Sequence, residues 1–431
     1  MSRPGTTTQH ITPYDRFAWS DVEIERMLLS GEHRQELTAY FGRSEYLDLA
    51  RLARKAARLG VNDAHPHVVV VPGILGSQLG IARQRPLPND VLWVDPIDIQ
   101  VGRLGLLALD AGAPIVPLGA VLYSHLKLRL RLRAAGFAVT IHDYDWRLGI
   151  EDSGASLADR LRELSSRRVA IVAHSMGGLL SRTALALPGT RHVERAVLLG
   201  TPNQGSFAPV QALRGTYAVV RKIARLDGAT TAERLTEEVF NSFPSLYQMI
   251  PVYSGKNAAD LMDPRAWPEA GPALRQPLLE RARRFREGLP PADERFIAIA
   301  GVGQETVTAV SKGRDGFVYT VTRHGDGTVP ASSAALTANT YFAKAAHSDL
   351  TRESQVASAI VDLLRKGVTK RLPTRWTSNS RAQARVSDRE LRRTHADKVD
   401  WASLTAGQRQ DFLQNLNEPL RLRLRVPASR R

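Results

Sequence analysis

The chain has 431 residues, with 59 Lys+Arg against 43 Asp+Glu and a formal charge of +16. Its 43% apolar content suffices for a large core, and its length allows one large domain with insertions or two to three smaller ones. Zero cysteines exclude a disulfide framework, a thiol nucleophile and a thiolate metal site, and no run reaches the roughly 18 apolar residues of a membrane span.

Residues 1–12 are polar and read as a loose arm without the apolar stretch of a secretory signal. From Trp19 to Gly60, apolar residues recur at three-to-four spacing and predict two or three short helices, with Asp21 and Ser44 as candidate N-caps. At His67 the texture changes. Val68-Val69-Val70-Val71, closed by Pro72-Gly73, reads as a strand buried on both faces. The same signature returns at Phe137–Ile141, Val169–Ala173, Ala196–Leu199 and Phe296–Ala300, with helical patterns at Val121–Ala135, Ser156–Leu164 and Met176–Leu187 between. Strands alternating with helices predict a mostly parallel sheet with right-handed crossovers. The segment Leu126–Arg133 alternates Leu with Lys or Arg and fits a strand equally well; its place between two other strands, and Ser124 as a cap, favour a helix.

Two insertions, 81–119 and 206–293, interrupt the alternation and are expected to form cap and lid over a site. The bland alternative is a structural subdomain. Residues 365–431 hold 17 Lys+Arg and 6 Asp+Glu, so most of the excess charge lies there. Only nine of the 59 cations are Lys, an arginine bias that coding composition alone can produce. Thr374–Ala384 reads as a linker, Val399–Leu416 as one short helix and Leu420–Val426 as an exposed strand.

Val169-Ala170-Ile171-Val172-Ala173-His174-Ser175-Met176-Gly177-Gly178 carries the strongest chemical signal. A buried strand, a serine at a sharp turn and an immediate helix form a nucleophile elbow. The turn demands small residues two before and two after the serine; Ala173 and Gly177 fill those places. A serine nucleophile needs a base and an orienting carboxylate, in the order Ser, acid, His. Asp326, in Gly325–Pro330, and His347, after the apolar run Thr340–Ala346, are the candidates. Each alone is an ordinary loop or surface residue; their order and placement favour catalysis. His324 is the rival base and Asp349 the rival acid. Oxyanion donors are expected from the backbone N–H groups of Met176 and of Ile74, in the turn after the first strand. His65 and His67 lack further ligands at metal spacing, and there is no dinucleotide or P-loop fingerprint, so neither metal nor cofactor is expected.

On His67–Ser77, Tyr144-Asp145-Trp146-Arg147, Ala173–Gly178, Gly200–Gly205 and Gly325–Pro330, the sequence resembles the lecithin:cholesterol acyltransferase-like family of α/β-hydrolases. The resemblance spans roughly 65–365. It implies an α/β-hydrolase fold and a lipid or acyl-ester substrate, with Ser175, Asp326 and His347 as triad and Ile74 and Met176 as oxyanion donors. It also implies that the two insertions cover an acyl-chain site. The disulfide that pins the lid loop in secreted relatives has no cysteines here, which argues against a lipoprotein-type extracellular role.

The expected organisation is a helical N-terminal extension (1–64), the hydrolase domain (65–365) and a basic C-terminal tail (366–431). The expected function is a serine esterase or lipase; the alternatives are an O-acyltransferase and a non-catalytic binding protein of the same fold. A cytoplasmic location is expected, peripheral at the membrane, with the tail on an anionic membrane or an acidic protein. Nucleic acid is not expected as a partner, since no RRM, KH, zinc-finger or helix-turn-helix signature occurs.

Overall fold

A computed structural model describes residues 15, 19–62, 64–228, 230–252, 260–377 and 383–418. The readings at 1–12 and Leu420–Val426 lie outside the described residues. Three helices come first: α1 (Asp21–Ser30), α2 (Arg34–Phe41) and α3 (Arg43–Arg58). The first is capped by Ser20, in a reciprocal capping box with Glu23, one residue before the expected Asp21. The third is entered through Gly42 rather than Ser44.

Strand β1 (His67–Val71) begins the α/β body. It is followed by β2 (Ser77–Ile81), β3 (Asp90–Trp93), α4 (Pro96–Gln100) and β4 (Ile115–Ala120). Then come α5 (Leu122–Arg133), β5 (Ala138–Ile141), α6 (Ile150–Glu163), β6 (Val169–His174), α7 (Met176–Leu185) and β7 (Val193–Leu199). The second insertion supplies α8 (Phe207–Leu213), α9 (Ala218–Leu226), α10 (Ala232–Glu238), α11 (Pro244–Gln248) and α12 (Gln276–Gly288). The chain then runs through β8 (Phe296–Gly301), β9 (Gln304–Gly313), β10 (Gly316–Gly325), α13 (Ala331–Ala334), β11 (Thr340–Ala343) and α14 (Ser354–Lys366). It closes with β12 (Gln383–Ser387), α15 (Asp388–Arg392) and α16 (Ala406–Gln414).

Six parallel strands form the central sheet in the order β11-β8-β7-β6-β1-β5. The period of two splits each strand between its faces. Val69, Val71, Ile171 and Leu198 point to one side, where α6 and α7 pack. Val68, Val70, Val172 and Val197 point to the other, against α5 and α14. This is the parallel α/β sandwich that the sequence predicts.

Helix α5 is a helix despite its alternating sequence, and begins at Val121 as N-cap rather than Ser124. Leu128 and Leu132 join the sheet-side core, whereas Leu122, Leu126 and Leu130 pack against α1–α3. Residues two apart on a helix point about 200° apart, so a helix sandwiched between two layers needs leucine on opposite faces. The cations between them run sideways to carboxylates: Lys127 to Glu45 at 2.7 Å, Arg133 to Glu25 at 2.9 Å and Arg129 to Asp21 at 2.5 Å.

Two antiparallel sheets flank the body and were not foreseen. One, β3-β2-β4, occupies the first insertion. The other, β12-β10-β9, joins a hairpin between β8 and β11 to a strand from beyond residue 366. Antiparallel strands with a polar, partly exposed face carry a weaker signal than strands buried on both faces, even at the ten residues of β9 and β10.

The basic tail is therefore corrected. Its described residues, up to 418, are built into the fold. Asp388 is fully buried and accepts from the Arg214 guanidinium (3.2 Å), the Phe317 N–H (3.0 Å) and the Tyr319 hydroxyl (2.8 Å). Trp401 and Leu416 are buried as well. The expected helix at Val399–Leu416 is a 3-10 turn at Trp401–Ser403 followed by α16. The expected linker partly lies outside the described residues, and its end, Gln383-Ala384, opens β12.

Candidate active site

The site gathers at the carboxyl ends of the parallel strands, where open α/β sheets bind ligands. Ser175 follows β6 directly and caps α7 with φ 53° and ψ −126°, a conformation that side-chain-bearing residues adopt only under constraint. The constraint is visible around it. The Ser175 N–H donates to the Leu199 carbonyl at 2.8 Å. A Cβ on Gly177 would stand 2.5 Å from the Val71 and Pro72 carbonyl oxygens, and one on Gly73 would stand 2.8 Å from Ser175 Cβ. Ala173 is tolerated two residues before the serine and is fully buried in the sheet.

Asp326 lies in the loop after β10, a strand of the antiparallel sheet β12-β10-β9. The loop folds back onto β8: a Cβ on Gly301 would meet Asp326 Cβ at 2.5 Å. Asp326 is fully buried. Its Oδ1 accepts the N–H groups of Thr328 (2.9 Å) and Val329 (2.7 Å), which fixes the carboxylate and leaves Oδ2 for His347. His347 Nδ1–H donates to Oδ2 at 2.7 Å, and the His347 N–H donates to the Asp326 carbonyl at 2.8 Å. Gly200 admits this pair, since a Cβ there would lie 2.9 Å from Oδ2. The rivals lie elsewhere. Asp326, not Asp349, holds the imidazole, and His324 sits edge-on to Trp376 with ring centroids 5.7 Å apart.

Ser175, His347 and the turn Gly73–Gly76 line one cavity of about 1000 Å³, the open space at its mouth included. Met176 occupies the first position of α7, where an N–H has no partner within the helix. In the turn, Gly76 N–H closes on the Gly73 carbonyl at 3.1 Å and Leu75 takes a left-handed φ of 64°. Much of the remaining wall is apolar and comes from the second insertion, including Ala212, Val219, Val220, Phe240, Leu246 and Met249. The first insertion contributes none of the described lining residues. It buttresses the second from behind, through Leu109 N–H on Ser242 Oγ (3.1 Å) and Gly228 N–H on the Gln100 carbonyl (3.2 Å).

Sequence reasoning gave no site role to three groups. Tyr144–Arg147, one of the motifs on which the family resemblance rests, is a scaffold for the turn. Tyr144 OH donates to the Pro72 carbonyl at 2.8 Å and Trp146 Nε1 to the Ser77 carbonyl at 3.0 Å. His174 also touches the site. Its Nε2–H donates to the His347 carbonyl at 2.9 Å, and the rings lie 4.7 Å apart. Burial, helped by the neighbouring His347 and His125, pushes its pKa far below the ordinary histidine range. The third is Asn417, from the C-terminal segment, which lines the same cavity. His174 fills a place in the elbow whose identity the spacing rule leaves open, and Asn417 belongs to no motif, so only proximity could reveal their contacts.

The sequence model of the lecithin:cholesterol acyltransferase family matches residues 134–277, a stretch that contains Ser175 and most of the second insertion but ends before Asp326 and His347. No curated protein gives a significant match. Among solved structures, the chain is similar to the mature form of Bacillus licheniformis lipase BlEst2 at 17% identity and a TM-score of 0.37, over 70% of this chain and 93% of that one. The propeptide form of that lipase gives 16% and 0.38, over 74% of this chain and 53% of that one. The Tle4-Tli4 complex gives 13% and 0.40, over 70% and 98%. The chain has the α/β-hydrolase fold and resembles the lecithin:cholesterol acyltransferase family.

Proposed function

We propose that the protein hydrolyses lipid acyl esters through Ser175, with His347 as general base and Asp326 as the orienting carboxylate. The observation that carries this reading is the 2.7 Å bond to a buried, backbone-anchored Asp326 from Nδ1 of His347, which lines the same cavity as the strained serine. With Nδ1–H engaged, the other ring nitrogen, Nε2, is the basic one. It takes the Ser175 proton as Oγ attacks the ester carbonyl and later gives it to the leaving alcohol. Asp326 fixes the tautomer and stabilises the imidazolium. The backbone N–H groups of Met176 and Ile74 face the oxyanion; losing one such donor costs about 3 kcal/mol of transition-state stabilisation. A water activated by His347 then releases the acyl group.

A lipid substrate is supported by the family match and by the apolar wall of the second insertion. Transfer to an alcohol would use the same residues, with an acceptor in place of water.

The test is Ser175→Ala, which removes both turnover of a medium-chain ester and labelling by a fluorophosphonate. Labelling that survives in the variant overturns the nucleophile assignment. Asp326→Asn keeps the fold and lowers kcat by roughly 10³- to 10⁴-fold; a loss under tenfold removes Asp326 from its role.

A further inference from the structure

The cavity is not apolar throughout. Beside Ser175 and His347 its wall carries His125, Ser348, Thr351 and Asn417. His125 belongs to α5; its ring lies 6.0 Å from that of His174, and a Cβ on Gly76 would stand 3.2 Å from it. Asn417 belongs to a strap that is tied down at both ends. Lys222 Nζ donates to the carbonyls of Asn415 and Glu418, both at 2.7 Å, and Ser348 Oγ donates to the Glu418 carboxylate.

Two of these side chains hold buried polar atoms without a partner. Asn417 Oδ1 has none, and neither ring nitrogen of His125 meets one in good geometry. The Val121 carbonyl lies near the His125 ring and can serve one nitrogen at most. Leaving a buried polar atom unpaired is costly, so such atoms in a cavity wall mark where a ligand supplies the missing bonds. Burial lowers the His125 pKa to about 4, which keeps the ring neutral, with one donor and one acceptor.

The two kinds of wall suit the two halves of an ester. The acyl chain fits the apolar lining from the insertion helices, and the leaving alcohol, which receives its proton from the His347 imidazole, fits the polar groups. We propose that His125 and Asn417 form a subsite for the hydroxyl groups of a polyol leaving group, so that the preferred substrate is an uncharged acylglycerol. The inference rests on the serine-hydrolase reading above. The described lining residues include no Lys or Arg, and a headgroup phosphate there would be buried without a counter-charge.

The test measures kcat/KM of the full chain for glyceryl monooctanoate, ethyl octanoate and an octanoyl lysophosphatidylcholine, which share one acyl chain. The wild type favours the glyceryl ester over the other two. In Asn417→Ala and in His125→Phe, melting temperatures first establishing that each is folded, the glyceryl-to-ethyl ratio falls about three- to tenfold, chiefly through KM. An unchanged ratio in both variants, or a wild-type preference for the phospholipid, overturns the subsite while ester hydrolysis stands. A wild type that cleaves none of the three overturns the hydrolase reading itself.

Discussion

At the scale of single residues, the site is held together as much by missing side chains as by reactive ones. Gly177 faces two carbonyl oxygens at 2.5 Å from where a Cβ would sit, and those oxygens belong to the backbone of the β1 end. Neither can give way cheaply. Gly177→Ala is expected to cost about 1–3 kcal/mol of stability and at least tenfold in kcat/KM, since the elbow and the donor turn shift together. Calorimetry and ester turnover check this; a fully active, equally stable variant would show that the turn is less tightly packed than the geometry implies. The buried histidines make the fold sensitive to acid. Burial lowers both His125 and His142 to about 4 from an ordinary 6.5. As pH falls below 6.5 the unfolded chain binds protons that the folded state refuses. The stability present above pH 6.5 is therefore lost toward pH 4, at up to about 3 kcal/mol for each ring. His142 stacks on Tyr144, outside the cavity lining, with Nε2 unpartnered. His142→Phe is expected to lose less melting temperature between pH 7 and pH 5 than the wild type; an identical loss would assign the acid sensitivity elsewhere.

At the scale of elements, what could be read in advance depended on how fully an element is buried. The strands β1, β6, β7 and β8 announce themselves as short apolar runs because both faces of the sheet are covered. The elbow between β6 and α7 was legible for the same reason, since the turn has a sequence rule of its own. Helix α5 shows how periodicity can mislead. Its Leu-Arg alternation imitates a strand, yet it serves two cores on opposite sides. Leu128→Ala and Leu130→Ala are each expected to cost about 2–5 kcal/mol, although an ordinary one-sided helix would tolerate one of them. Denaturant midpoints decide the matter; one silent substitution would mean that only one face bears load.

At the scale of the whole molecule, the net charge of +16 looked like a property of a detachable end. In the structure, two cations of that end, Lys398 and Arg409, hold carbonyl groups of the body and of the end itself. Lys398 Nζ donates to the carbonyls of Ala224 (2.8 Å) and Asp227 (2.6 Å) at the end of α9, where a cation also meets the negative pole of the helix. Arg409 donates to the carbonyls of Trp401 (3.0 Å) and Ala402 (2.9 Å) and lies over the Trp401 ring. Removing 366–431 would uncover Arg214, Phe317 and Tyr319 by taking away β12 and Asp388. The truncated chain is expected to aggregate or to melt at a clearly lower temperature, and not to behave as an intact esterase lacking a tether. A soluble, fully active truncation would restore the appendage reading.

The sequence by itself determined the parallel sheet and the serine elbow, and it singled out Asp326 and His347, which the structure brings into hydrogen-bond contact. Each follows from local rules, in which burial sets periodicity, a sharp turn demands small residues and catalytic partners come in a fixed chain order. Only the tertiary structure decided that Asp326 reaches the site from an added antiparallel hairpin, that His174 backs the His347 loop and that Asn417 closes the cavity wall. Those facts depend on contacts between residues tens to hundreds of positions apart. Such contacts leave no local period, because what fixes them is the packing of surfaces that meet only after the chain has folded.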